Sequence, residues 1–524
     1  MGINTEILIV FAGLCAMMWL LVADRMRPGF AMFSVVVLFM CAGILSPKEV
    51  LAGFSNKGMI TVALLFLVSE GVRRSDALGH LVKRMLPKRS GVSVRNGYLH
   101  ILPVITSVSA FLNNTPVVVV FIPIIKQWAR KARLRLAMGL PLRKFLIPLS
   151  YAAILGGMCT LIGTSTNLVV HGMMLDAGYD GFTMFELGKV GVFIAFFGVL
   201  YMILFAAKKL PDDPAESPVR SDVTEEVDSN IVEAVIGSRF PGINRLCSEF
   251  DFSKHYGAEI REMRRGGVVL ADPEAQIFRE GDTLILETDG SFIATWGDSS
   301  VFLMLSNGRY HEPVSRGWRK WLAIALLTVM IVGATFGSLP AVQQLWPGIR
   351  LDMFFWVCVV TVLMGCFGIF PAKRYTKFIS WDILITIACA LAISRAMVNS
   401  GLADFIAAHV IDFANGVSPW TVLVVLYITT NIITELITNN AAAAFAFPIA
   451  MSAAQQLGVD PMPFFVAICI ASSASFSSPI GYQTNLIVQG IGNYRFKDFV
   501  RVGLPLNIIT FVLSIVLIPL FWDF

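Results

Sequence analysis

The sequence is poor in charge. Only 15% of its 524 residues are Asp, Glu, Lys or Arg, whereas 56% are hydrophobic; a soluble domain carries about 25% charged residues. A soluble globular protein is thereby excluded, and a polytopic membrane protein is expected. Cysteine is sparse and unpatterned. The eight cysteines lie mostly inside apolar stretches with no CxxC pair, so neither a disulfide framework nor a zinc site is expected. The first apolar stretch, residues 5–23, has no basic region before it and no clear small-residue cleavage site, and it reads as a retained helix rather than a signal peptide. The net charge of +5 fits basic cytoplasmic loops and gives no reason to expect a nucleic-acid partner. No catalytic residues are expected, and the chain does not read as an enzyme.

What the sequence has is apolar length. Windows long enough to cross roughly 30 Å of hydrocarbon as helix start near residues 4, 29, 58, 146, 186, 319, 352, 381, 462 and 502. Basic residues crowd into alternate connections: Arg25 and Arg27, then Arg73 to Arg95, then Lys126 to Lys144, with more at 208–209, 316–320, 373–377 and 495–501. By the positive-inside rule these are cytoplasmic, which leaves both termini outside. The expected location is the inner (plasma) membrane, with lipid as solvent.

Two apolar segments break the alternation. Residues 99–127 have basic flanks on both sides, so the chain enters and returns on one face, with arms of about 12 residues reaching roughly 18 Å. The tip is FLNNTP, carrying Asn113, Asn114 and Thr115. Residues 418–452 have non-basic flanks and read as a second hairpin entering from the other side, tipped by Thr438, Asn439 and Asn440. A further pair of segments matches directly. IGTSTNLVVHGM at 162–173 and IGYQTNLIVQGI at 480–491 place Gly, Thr and Asn inside otherwise apolar helices, 146–173 and 462–491.

Each half therefore reads as helices, re-entrant hairpin, interrupted helix, helix: residues 1–207 and 319–524. The second half starts on the opposite side, giving an all-α membrane protein with an inverted-topology repeat of about 5+5 transmembrane helices, an arrangement that binds solutes near the midplane. Between the halves, residues 208–318 hold an acidic linker. A small soluble α/β module follows, with its core at about 228–300, strands in IVEAVIG, AEIREMRRGGVVL and DTLILETD, and a helix in INRLCSEFDFSKHYG.

Non-helical backbone at membrane depth survives only where protein, water or ligand satisfies it. Hairpin-tip oxygens suit a small cation such as Na+, whereas half-helix N-termini suit an anion. The residues shared by the copies, Gly163, Thr166 and Asn167 with Gly481, Thr484 and Asn485, are expected to form Na+ sites with Asn114, Thr438 and Asn439. The unlike positions, Thr164 and Ser165 against Tyr482 and Gln483, are expected to select the anion together with Asn113, Asn114, Thr115, Thr438, Asn439 and Asn440. A lone polar residue at such depth more often makes an interhelical hydrogen bond; four paired breaks argue for a site. His171 could approach this site or pack structurally, and Ser478 could contribute to it. Of two carboxylates at membrane depth, Glu70 and Glu435, the second could tune cation binding, relay protons or orient the hairpin backbone.

The tips and breaks resemble the divalent anion/sodium symporter family of the ion-transporter superfamily. That family carries Ser-Asn-Thr at each tip, matched here by Asn113-Asn114-Thr115 and Thr438-Asn439-Asn440, and a Gly-Thr-Pro-Pro-Asn type break, matched by GTSTN at 163–167 and GYQTN at 481–485. The resemblance implies a homodimer, a scaffold and a moving transport part in an elevator-type mechanism, two sodium sites, and substrate held between the tips. The replaced Ser, Thr and Pro-Pro positions shape the carboxylate site in dicarboxylate-transporting members, which favours sulfate or a related inorganic oxyanion. The middle module resembles the TrkA C-terminal (RCK C-terminal) domain over YGAEIREMRRGGVVLADPEAQIFREGDTLILETD, carried by sulfate-permease-like members, and implies an unidentified regulatory ligand or a dimerising role. The expected function is Na+-coupled import of a divalent anion. A C4-dicarboxylate symporter is the close alternative, and a ligand-gated channel or a transporter-like anion sensor are readings from other classes.

Overall fold

The computed structural model describes residues 4–23, 26–75, 93–135, 142–211, 231–237, 239–266, 268–289, 291–297, 301–306, 317–337, 339, 342, 344, 351–413 and 418–524. The basic residues Arg25, Lys83, Arg84, Lys88 and Arg89 and most of the acidic linker lie outside these. The first half contains α1 (Thr5–Val22), α2 (Pro28–Cys41), α3 (Pro47–Phe54), α4 (Lys57–Arg74), α5 (Val94–Ser109), α6 (Asn114–Arg135), α7 (Arg143–Gly157), α8 (Ser165–Asp176) and α9 (Gly188–Lys209, with a π turn at Met202–Ala206). The second half contains α10 (Gly317–Gly337), α11 (Met353–Cys366), α12 (Trp381–Asn399), α13 (Leu402–Phe413), α14 (Pro419–Leu436), α15 (Asn439–Leu457), α16 (Met462–Ser473), α17 (Gln483–Gly492) and α18 (Phe496–Phe521).

Among the described residues seven helices are long and apolar enough to cross a membrane. Six of them answer expected spans. The seventh, α14, is an arm of the second hairpin: its 18 residues reach about 27 Å. The hairpin arms are thus longer than expected, with 16 residues in α5 and 22 in α6, because the helix of α6 runs on past the apolar stretch into the basic residues after Lys126. Two expected spans, α2 and α11, are 14 residues each. The remaining two are the interrupted helices. Large apolar side chains such as Phe193, Phe196, Val512 and Val516 are exposed on α9 and α18, as lipid-facing helices require.

Two connections expected as plain loops are helical. Helix α3 starts at a capping box: Glu49 N–H donates to Ser46 Oγ and Ser46 N–H to Glu49 Oε2 at 2.8 Å, a Ser-x-x-Glu signature legible in the sequence. Helix α13 is anchored through Asp404, which accepts from Ser452 Oγ on α15.

Equivalent elements pack alike. The inbound hairpin arm α5 lies on α7, and α14 lies on α16; the return arm α15 lies on α8, and α6 touches α17. The closing helices α9 and α18 pack on each other. Around this set, α1, α2 and α12 form one neighbourhood and α4, α10 and α11 another.

The middle module is a five-stranded antiparallel sheet of order β3-β2-β4-β1-β5, with β1 (Ile231–Ile236), β2 (Ala258–Arg265), β3 (Val268–Leu270), β4 (Thr283–Thr288) and β5 (Phe302–Ser306). The last strand lies beyond the expected core. The helix expected over INRLCSEFDFSKHYG is only the five residues Phe252–Tyr256, capped by Asp251. Leu246 instead bridges to Ile277, because Phe250, Phe252 and Tyr256 must converge on Phe240, Phe278 and Phe302 to build the module's own core. The buried Asp282 carboxylate accepts from Arg265 Nε (2.7 Å) and Nη2 (2.8 Å) and from the Arg279 N–H (2.8 Å), closing the turn before β4.

The module is seated on the helical body. Val235 and Met304 share one apolar cluster with the helices, and Lys126 of α6 pairs with Glu233 of β1. At Gly490 of α17 a Cβ would meet Thr283 Oγ1 at 2.5 Å, so only glycine allows this approach. Arg239 Nη2 also donates to the Ile379 carbonyl at 3.0 Å, just ahead of α12.

Candidate functional site

Both interrupted helices are closed by the same device. Asn167 Nδ2 donates to the carbonyls of Gly157 (3.2 Å) and Thr160 (2.9 Å), ten and seven residues upstream. Asn485 Nδ2 does the same to Ser475 (2.9 Å) and Ser478 (3.1 Å). Each asparagine is buried and satisfies carbonyls that the helix break leaves without an intrahelical partner. The glycines permit the tight return: a Cβ on Gly163 would lie 2.6 Å from the Gly157 carbonyl oxygen, and one on Gly481 2.5 Å from that of Thr434.

The tips are built alike as well. Ser109 Oγ donates to Asn114 Oδ1 at 2.8 Å. Five residues before the other tip asparagine, Thr434 Oγ1 lies 2.8 Å from the Asn439 amide nitrogen, which also donates to the carbonyls of Ser472 (3.2 Å) and Gly481 (3.0 Å). Thr160 Oγ1 donates to the Ala110 carbonyl, tying the first tip to the first break.

Each tip also reaches across to the break of the other half. Thr115 Oγ1 contacts Gln483 Oε1 at 3.4 Å, and Ser165 Oγ contacts Asn440 Oδ1 at 3.4 Å. These are the same contact made twice, between equivalent positions with the halves exchanged. Thr166 Oγ1 adds a bond to Asn440 Oδ1 at 3.1 Å. At the centre, the Tyr482 hydroxyl accepts from Asn114 Nδ2 at 2.7 Å and lies 3.0 Å from Thr164 Oγ1. The Asn439 amide reaches the same hydroxyl. Residues from all four backbone breaks thus converge on one buried polar layer.

Other candidates take separate places. Asn113 lies half-buried in the tip loop. Thr438 precedes α15, its hydroxyl buried without a hydrogen-bond partner, as is that of Ser473 at the end of α16. Ser150 of α7 engages Thr484 Oγ1 (2.9 Å) and Asn485 Oδ1 (2.7 Å). Ser478 Oγ accepts from the Ile480 N–H at 3.1 Å. His171 Nδ1 accepts from the Phe182 N–H at 2.9 Å, which fixes the loop after α8. Glu435 accepts from the Ser477 N–H (2.9 Å) and Asn507 Nδ2 (2.6 Å), holding the second break against α18. Glu70 is held by Arg73 (2.8 Å) and Arg74 (2.5 Å). Ser109, Ser150, Thr160 and Ser473 escape the sequence reading. Only Ser109 had a usable signal, its spacing of five from Asn114, which Thr434 and Asn439 repeat.

The profile of the citrate transporter family matches residues 16–355 and 344–523. The chain belongs to the citrate transporter family. Membership places it among the divalent anion/sodium symporters and their relatives in the ion-transporter superfamily. This family member is 28% identical to an uncharacterized transporter of Synechocystis, over 93% of its own length and 92% of that protein. It is 29% identical to sodium/sulfate cotransporter 2 of Chlamydomonas reinhardtii, over 53% of its length and 31% of the cotransporter. In fold it is similar to the YdaH transporter of Alcanivorax borkumensis, with a TM-score of 0.50 and 12% identity, over 90% of this chain and 86% of that one.

Proposed function

We propose that the protein is a secondary active transporter that imports a divalent anion with Na+, the anion being sulfate or a related oxyanion. The observation that carries this reading is the convergence of both hairpin tips and both helix breaks on one layer around Tyr482. Within the layer the polar groups are amides and hydroxyls, with no lysine or arginine among the contacts described. A dianion brought there needs co-bound cations to offset its desolvation. The unpartnered oxygens of Thr438 and Ser473 are the hard, neutral donors that Na+ takes, beside the Asn439 tip and the Gly481 break. Ser165 and Gln483, in the first turns of α8 and α17, lie where helix N-termini favour an anion.

The contact of Thr164 with Tyr482, its own counterpart in the other half, supports an inverted-topology repeat, since residues that meet their counterparts lie on the axis relating two copies. On this reading α5–α8 and α14–α17 form the moving part of an elevator-type cycle, carried by a homodimeric scaffold in the plasma membrane. Both termini face outside, and the sheet module, a TrkA-C-like domain, lies in the cytoplasm with a regulatory ligand of its own.

Uptake of labelled sulfate and succinate into proteoliposomes, with and without an inward Na+ gradient, tests the proposal. Na+-driven sulfate uptake is expected, abolished in Asn114→Ala and Asn439→Ala protein that still folds. Sulfate uptake indifferent to Na+ would refute the coupling. The family's name favours one second reading, a Na+-coupled carboxylate symporter, and uptake of succinate alone would establish that reading instead.

A further inference from the structure

We infer that Tyr482 sets the size of the anion this site accepts, restricting it to a compact tetrahedral oxyanion and excluding longer polycarboxylates. The inference rests on the reading of the tip-and-break layer as the anion site. Tyr482 and Thr164 hold the same position in the two copies, yet one is a phenol and the other a short hydroxyl. The Tyr482 side chain is buried, and its ring fills the room that a threonine, as in the first half, would leave open. Its hydroxyl is fixed by Asn114 Nδ2 (2.7 Å), by Thr164 (3.0 Å) and by the Asn439 amide. A ring held at its far end by the first tip, through Asn114, and by the first break, through Thr164, cannot swing aside without breaking buried hydrogen bonds, so it acts as a wall rather than a gate.

The donors that flank this wall are held far more loosely. The hydroxyls of Thr115 and Ser165 have their contacts at 3.4 Å, near the outer limit of a hydrogen bond. Turning them to an anion costs little. One comes from a tip and one from a break, and each is next in sequence to a residue bonded to the Tyr482 hydroxyl, Asn114 or Thr164. A small anion offering oxygens in several directions can be met by both hydroxyls against the wall of the ring. A succinate or citrate must place its second carboxylate where the ring stands, and a clash built against the competitor supplies specificity.

The test is uptake of labelled sulfate, succinate and citrate by the full-length protein in proteoliposomes, for wild type, Tyr482→Thr and Tyr482→Phe. For Tyr482→Thr, the sulfate-to-succinate preference is expected to fall at least about tenfold, with carboxylate uptake gained. Tyr482→Phe keeps the ring and should keep the preference within about twofold. An unchanged preference in folded Tyr482→Thr protein overturns the inference. Tyr482→Val leaves the same room and reads the same ratio if the threonine variant does not fold. Protection against thermal unfolding by each anion, in detergent, separates this inference from the function proposed above. A wild type protected more by succinate or citrate than by sulfate overturns the size limit even if Na+-coupled transport stands. A wild type that transports none of these anions, but is protected by sulfate alone and by succinate only after Tyr482→Thr, supports the size limit while the transport reading fails.

Discussion

Thr164 and Tyr482, 318 residues apart and equivalent in two copies of one motif, place their hydroxyls 3.0 Å from each other. Two copies related by a two-fold axis meet at matching positions where that axis passes. The reciprocal pairs Thr115 with Gln483 and Ser165 with Asn440, both at 3.4 Å, extend the relationship to the tips. The asymmetry is confined to side chains: the backbone devices are shared, and the chemistry presented to the centre is not.

The unpartnered hydroxyls give an expectation whose sign separates a ligand from a strut. A buried hydroxyl without a partner carries a desolvation cost of about 1–3 kcal/mol. Thr438→Val and Ser473→Ala should therefore raise the unfolding temperature slightly in Na+-free buffer and raise the half-saturating Na+ concentration about tenfold. Thermal unfolding titrated with Na+ reads both, and unchanged Na+ dependence would show that these oxygens bind no cation.

Asn167 and Asn485 behave differently, because each already spends its amide nitrogen on two carbonyls. Asn167→Ala or Asn485→Ala removes two buried hydrogen bonds and strands their acceptors, which amounts to about 2–3 kcal/mol. The loss should appear with and without Na+. A destabilisation seen only in Na+ would make these residues cation ligands first.

The seat of the module can be probed through Lys126 and Glu233. Lys126→Glu and Glu233→Lys alone should each accelerate amide hydrogen exchange in β1 and in α17, while the double exchange restores protection to near the wild-type level. Failure of the double variant to recover would show that the pair contributes nothing to docking.

Within the module, burial pushes the Cys247 thiol up to about 11, with Glu274 adding to the effect. The thiolate is the reactive form, so maleimide labelling of Cys247 at pH 8 should run about 100-fold slower than that of free cysteine and climb about tenfold per pH unit toward pH 11. Rapid labelling at pH 8 would mean that the aromatic core around Phe250 and Phe240 is open.

Much of this architecture was legible because polar residues in an apolar chain are costly and must be explained. The tips at Asn114 and Asn439 and the glycines at 163 and 481 stood out for that reason, and the three β-prone runs contain four of the five strands, the second run being folded into β2 and β3. What stayed hidden depends on tertiary partners. Nothing near Ser150 announces that it will bond Thr484 and Asn485 of the other half. The stretch 243–257 has helical spacing, yet its aromatics are drawn to Phe240 and the helix is lost. The motif marks Asn167 and Asn485 but does not reveal that their amide nitrogens close the loop of each break.

Gly490 sits two turns along α17 from Gln483, about 10 Å, and is a point where the sheet module comes close to that helix. The module is thus seated on the helix whose N-terminal end carries Tyr482 and Gln483. Were the placement of the sheet to alter binding at that end, binding would alter the placement of the sheet to the same extent, because energetic coupling between two sites is the same in both directions.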